Sequence, residues 1–196
     1  MAFATIDVTK GITGTIPVAN GGTGLTSGTT GQFLKFTGTT TVASAAVSAG
    51  KIAQVIEGDV TTHTAVSSTS YVDCSLEATI TPSATSSKIL VLGNFNNLKI
   101  NSTSGGAGQI RIQHDQGGSS FTNLAEYEGV VGYNDNDVNN PSPMYLHSAN
   151  TTNAIKYKLQ IATLTGFSNG TLRLNNRSAD GGYIRSSLIL MEVLAW

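Results

Sequence analysis

The chain has 196 residues, a formal net charge of −1, 12% charged and 39% hydrophobic residues. The charged share is about half the ~25% of an average globular chain, and no basic stripe is present. Phosphate-driven nucleic-acid binding and polybasic membrane attachment therefore have no footprint. The single cysteine, Cys74, excludes an intrachain disulfide and a cysteine-built metal site. Residues 1–7 lack the basic start and apolar core of a secretory signal. No apolar run is longer than residues 188–191, so no membrane insertion is expected and synthesis in a reducing cytoplasm is.

The first fifty residues differ from the rest. Over residues 11–31 glycine recurs every few positions, with Thr, Ile and Val between. Helix is disfavoured there, since Gly costs about 1 kcal/mol against Ala and β-branched residues are also poor formers. Few large side chains are available to bury, so the segment cannot build a core of its own. Residues 1–50 are expected to form an extended arm, which fully stretched could reach roughly 165 Å.

From residue 51 the pattern changes. Residues 71–80 alternate: Val72, Cys74, Leu76, Ala78 and Ile80 face one way, and Tyr71, Asp73, Ser75, Glu77 and Thr79 the other. Cys74 on the apolar face reads as a buried small hydrophobe rather than a reactive thiol. Residues 88–95 are near-continuously apolar, as in a strand between two layers. Residues 109–114 alternate Ile110, Ile112 and His114 with Arg111 and Gln113. Residues 154–164 place Ile155, Tyr157, Leu159 and Ile161 on one face, Leu172 and Leu174 mark a short strand, and residues 184–194 close the fold. Gly-, Asn-, Ser- and Pro-rich turn clusters separate these runs. Residues 51–196 are therefore expected to form an all-β head, a sandwich or barrel.

The segment Gly14-Thr15-Ile16-Pro17-Val18-Ala19-Asn20-Gly21-Gly22-Thr23-Gly24-Leu25-Thr26-Ser27, followed by Gly31-Gln32-Phe33-Leu34, resembles a motif of phage tail-fibre and related virion proteins. The resemblance implies an attachment arm in which Pro17, Asn20, Gly21, Gly22 and Gly24 carry the motif. The head resembles the jelly-roll trimers of tumour-necrosis-factor-like and complement-type globular domains. That second resemblance implies a jelly-roll-type β-sandwich and a homotrimer.

Several constellations invite chemistry. Gly22-Thr23-Gly24 has the look of a dinucleotide loop, but the third glycine, Gly28, comes one place late and no strand–helix context surrounds it. His63, His114 and His147 are the only histidines, and no two have the short spacing of metal ligands; His114 reads as a partly buried, hydrogen-bonded residue. Asp135 and Asp137, among Asn134, Asn136, Asn139 and Asn140, offer the oxygens that calcium takes. They also suit a solvated turn, where Asn and Asp tolerate left-handed backbone. Glu126 and Glu128 lie two apart, as a glycosidase pair would need if they share a strand face, or as two exposed acids beside Tyr127. Asn-X-Ser/Thr sites at Asn101, Asn150, Asn169 and Asn176 matter only in a secretory pathway.

No catalytic residue, cofactor or metal is expected on this reading. The expected role is structural, in a bacteriophage particle: a short tail fibre or fibre tip, or a capsid decoration protein, with a small polysaccharide-degrading enzyme as the remote third. Partners would be other virion proteins, either a tail protein or the major capsid protein. A host surface glycan or protein would be met by Tyr127, Tyr133 and Tyr145 near polar Asn-rich loops.

Overall fold

Alternating β-branched residues punctuated by Gly, Asn and Ser drive a chain into strands and turns, and strands without helix are what the described residues form. The computed structural model describes residues 16, 22–25, 28–46, 51–102, 105–118, 120–131, 138–168, 170–175 and 184–194. It divides into two units, Met1–Ala49 and Gly50–Trp196.

In the first unit, β1 (Phe33–Phe36) pairs antiparallel with β2 (Val42–Ala45). The hairpin is closed by Thr37 N–H donating to Thr41 O at 3.0 Å. Short apolar runs on either side of a Gly-containing turn suit this hairpin. Of the arm residues, Gly24 donates its N–H to Ile16 O at 3.1 Å, and a Cβ on Gly22 would stand 2.1 Å from that same oxygen. Only glycine fits at position 22. Pro17, Asn20 and Gly21 lie outside the described residues.

The second unit holds β3 (Ile52–Val60), β4 (Thr64–Val66), β5 (Val72–Ile80), β6 (Lys88–Asn94), β7 (Leu98–Asn101), β8 (Gly106–Gln116), β9 (Thr122–Val131), β10 (Val138–Asn139), β11 (Met144–Ser148), β12 (Ile155–Ser168), β13 (Thr171–Leu174) and β14 (Ser186–Val193). One sheet has the order β5-β12-β8-β9. The other runs β11-β6-β14-β3 and continues past a break as β10-β7-β13-β4. Counting β3/β4, β6/β7 and β10/β11 each as one bent run, and β13 with β14 by their shared place in the strand order, leaves eight runs. The first pairs with the eighth, the second with the seventh, the third with the sixth and the fourth with the fifth, all antiparallel. A long hairpin rolled up in this way is a jelly roll, and the fold is the jelly-roll-type β-sandwich expected.

The alternation read from the sequence builds the core. Cys74, Leu76 and Ile80 of β5, Ile110 and Ile112 of β8, and Ile155, Tyr157, Leu159 and Ile161 of β12 are buried together with Ile89 and Val91 of β6 and Leu188 and Leu190 of β14. Burying each of these large side chains contributes about 1.5–3 kcal/mol. Val72 departs from the expected face: it is 40% exposed. The register between β5 and β12 shifts at Leu159/Gln160, with Ser75 at φ 59°, and this bulge ends the alternation before Val72 is reached.

Two polar devices fasten the sheet that contains β14. Where it breaks, Asn175 (φ 51°, fully buried) donates from Nδ2 to Val60 O at 3.0 Å and Thr62 O at 3.2 Å. Its Oδ1 accepts from Ser186 Oγ at 2.7 Å, and Ser186 Oγ in turn accepts from Asn96 N–H at 2.9 Å. At the other end, the buried Glu192 carboxylate accepts from Ser83 N–H and Oγ, both at 2.6 Å, and from Gln54 Nε2 at 2.7 Å. Burial would raise its pKa, but those bonds outweigh burial and hold it at about 2.

Candidate interaction surfaces

Strand residues alternate between core and exterior, so the two sheets present two outer faces. On β5-β12-β8-β9 the outward positions are polar and mutually bonded. Lys156 pairs with Glu77 at 2.6 Å and Lys158 with Asp73 at 3.0 Å. Gln160 donates to Asp73 and accepts from Arg111 Nε at 2.9 Å. Gln113 donates to Asn123 at 2.7 Å, and Arg111 stands 3.8 Å from Glu126. The Arg111 guanidinium lies 4.1 Å over the Tyr71 ring, and Lys158 Nζ lies 3.9 Å over Phe121.

On β11-β6-β14-β3 the outward positions form a polar row, Asn94, Ser187 and Asp59, and beside it three longer cross-strand rows. Of these three, the first is Met144, Leu92, Ile189 and Glu57; the second is Leu146, Leu90, Met191 and Val55; the third is Ser148, Lys88, Val193 and Ile52. Nine of these twelve side chains are apolar. Ile52, Val55, Met144 and Leu146 are 46–60% exposed, and Leu90, Leu92, Ile189, Met191 and Val193 are half-buried. Charge is confined to opposite ends. Beyond the first row Arg185 bridges Glu57 at 2.8 Å and Asp59 at 3.1 Å, and Lys88 stands in the third row.

Of the tyrosines expected to meet a host surface, Tyr127 lies on β9 and Tyr145 on β11. Both are partly buried with their rings against the core. The Tyr127 hydroxyl donates to Met144 O. Its ring lines a small open pocket with Val130, Pro141, Ser142, Pro143 and Met144. Burial raises its pKa, more than the Met144 carbonyl lowers it. Tyr133, Asp135 and Asp137 lie outside the described residues. Glu126 and Glu128 share one side of β9, opposite Arg111 and Gln109 of β8.

The histidines come together in part. His147 of β11 shares a 2.7 Å hydrogen bond with the Tyr157 hydroxyl of β12, and its ring centroid lies 4.5 Å from that of His114 on β8. The cluster ties an edge strand of one sheet to the middle of the other. Burial, with a smaller contribution from His114, lowers the His147 pKa to about 4. Burial lowers that of His114 too, against the opposing pull of Asp115. Among the described residues no group of three His, Cys, Asp or Glu could hold a metal ion. Cys74 is fully buried, its Sγ 3.1 Å from Leu159 O, and burial pushes its pKa up to about 12.

The head is thus an antiparallel jelly roll with one ion-paired and one apolar outer face. No protein family matches the chain, and no curated protein does. Among solved structures it is similar to infectious bursal disease virus VP2 in its subviral particle, with 12% identity over 81% of this chain and 36% of the other and a TM-score of 0.41. It is also similar to a chain of the T13 particle of that virus, with 16% identity over 82% and 39% and a TM-score of 0.43. The present chain spans about two fifths or less of the length of those chains.

Proposed function

We propose that this chain is a structural protein of a bacteriophage particle that acts by binding and assembly rather than by catalysis. One observation carries the reading: a single chain joins the tail-fibre-like segment of residues 14–27 to a jelly-roll head, an architecture used for capsid and carbohydrate-binding domains. The finer reading is a short homotrimeric tail fibre or fibre tip, made in the host cytoplasm. It attaches by residues 1–50 and turns its head toward a host surface glycan or protein. The pocket edged by Tyr127 and Pro143 would be the contact. Repetition of the head in a trimer and around the particle would multiply a weak single contact.

A second reading is a capsid decoration protein that stabilises the shell. Copy number in purified particles, by quantitative mass spectrometry against the major capsid protein, separates the two. On the order of tens of copies or fewer places the chain on the tail; hundreds place it on the shell. Absence from the particle overturns both. Deleting residues 1–50 is expected to leave a folded head that no longer co-purifies with particles.

A further inference from the structure

We infer that the apolar outer face of β11-β6-β14-β3 is the surface by which copies of this chain associate. The inference rests on the binding-and-assembly reading above and adds to it a surface that pairs two copies, separate from any contact that closes a trimer.

The face is anomalous for a sheet turned to water. An antiparallel sheet with one solvated side alternates apolar and polar residues, whereas strands covered on both sides are continuously apolar. β6 and β14 read as the second kind: Ile89, Leu90, Val91 and Leu92, and Leu188, Ile189, Leu190 and Met191. Their inward members are satisfied by the core of the sandwich. Their outward members Leu90, Leu92, Ile189 and Met191, joined by Val55 and Leu146 on either flank, have no second layer among the described residues of the head. Nine apolar positions, on strands about 4.8 Å apart and in rows about 7 Å apart, make an apolar field of about 300 Å². A patch of that size on a single chain is often a functional one, and it suits the hydrophobic centre of an interface rather than its whole area.

Charge favours another copy of the same chain as the occupant. The field itself is uncharged. Its two ends carry opposite signs, Lys88 at one and the Glu57–Arg185–Asp59 group, with one net negative charge, at the other. Copies laid face to face with their ends reversed bring each Lys88 to the acidic end of its neighbour, so the pattern is complementary to itself. With a net charge of −1 per chain, no long-range repulsion keeps copies apart. The other outer face lacks this property, because its charges are already paired within the head.

The test uses the full chain at about 50 μM, where an interface of that size is occupied, in multi-angle light scattering after gel filtration. The wild type is expected at a whole multiple of the 20.3 kDa chain mass, twice that mass where this face alone joins the copies. Val55→Lys with Leu146→Lys, both at exposed positions, is expected to return it to a single-chain mass with an unchanged β circular-dichroism spectrum. Lys88→Glu is expected to weaken association at least tenfold. Glu77→Lys, on the polar face, should leave the mass alone. A wild type that runs as a single chain overturns the inference and assigns the face to another particle component. An oligomer that survives the double substitution overturns it too. Either result leaves the particle copy number, and with it the virion reading, untouched.

Discussion

The two sheets share one core but face outward differently. The outer face of β5-β12-β8-β9 is a lattice of Lys, Asp, Glu, Arg and Gln side chains that bond one another. That of β11-β6-β14-β3 is apolar at nine of fifteen positions, all nine in three adjacent rows. The inner faces do the folding in both cases, so the outer faces are free to differ. A polar lattice keeps one side in water at little gain in stability, while the apolar side is a liability for a lone copy. The sheets differ within as well. The polar sheet is continuous, whereas the apolar one is broken and needs Asn175 to bridge the break.

That last difference predicts the largest effect. Asn175→Ala removes both donors to Val60 and Thr62 and the acceptor for Ser186, leaving buried polar groups unpaired. Urea denaturation should show a loss of about 3–4 kcal/mol. Gln113→Ala, which removes one partly buried hydrogen bond on the continuous sheet, should cost about 1 kcal/mol. Equal losses would show that the break is no weaker than the continuous sheet.

Acid is expected to weaken the head in two windows. His114 and His147 have folded pKa values below their ordinary 6.5, so the unfolded chain binds protons first. Stability present above about pH 6.5 is lost as pH falls toward 4. Glu192 has its pKa lowered from 4.5 to about 2, so its contribution is present above 4.5 and lost as pH falls toward 2. Melting temperature against pH should fall in both windows. His147→Gln should shrink the upper one, leaving the part that belongs to His114, and leave the lower, which separates the clasp between the sheets from the anchor inside the apolar sheet.

Much of the head was legible because inward alternation is local: β5, β8, β12, β13 and β14 were all traceable from their periods. β3 was not. Gly58 sits where a Cβ would stand 2.0 Å from Glu77 O, so a close approach to β5 replaces a side chain with backbone. The Val72 exposure was hidden too, because the bulge that ends the alternation depends on the partner strand. The apolar outer face had a signal in the near-continuous run at residues 88–95. Recognising it as a surface required knowing that, among the described residues, one layer covers it. The His114–His147 pairing carried no signal, since jelly-roll closure brings together residues on β8 and β11 that no spacing relates.

The smallest expected effect is the one that most sharpens the contrast. Lys156→Gln breaks the 2.6 Å pair with Glu77, but both side chains are more than 40% exposed. Water solvates Glu77 as readily as lysine does, so the change in stability should lie within about 0–1 kcal/mol and shrink further in 0.5 M salt. The same one-residue change of polarity at Val55, also about half exposed, should be equally mild for the isolated fold, because neither position enters the core. Only association should tell them apart: Val55→Lys should lower the mass measured at fixed concentration, and Lys156→Gln should not. If both leave the mass unchanged, the two outer faces differ in composition without differing in role.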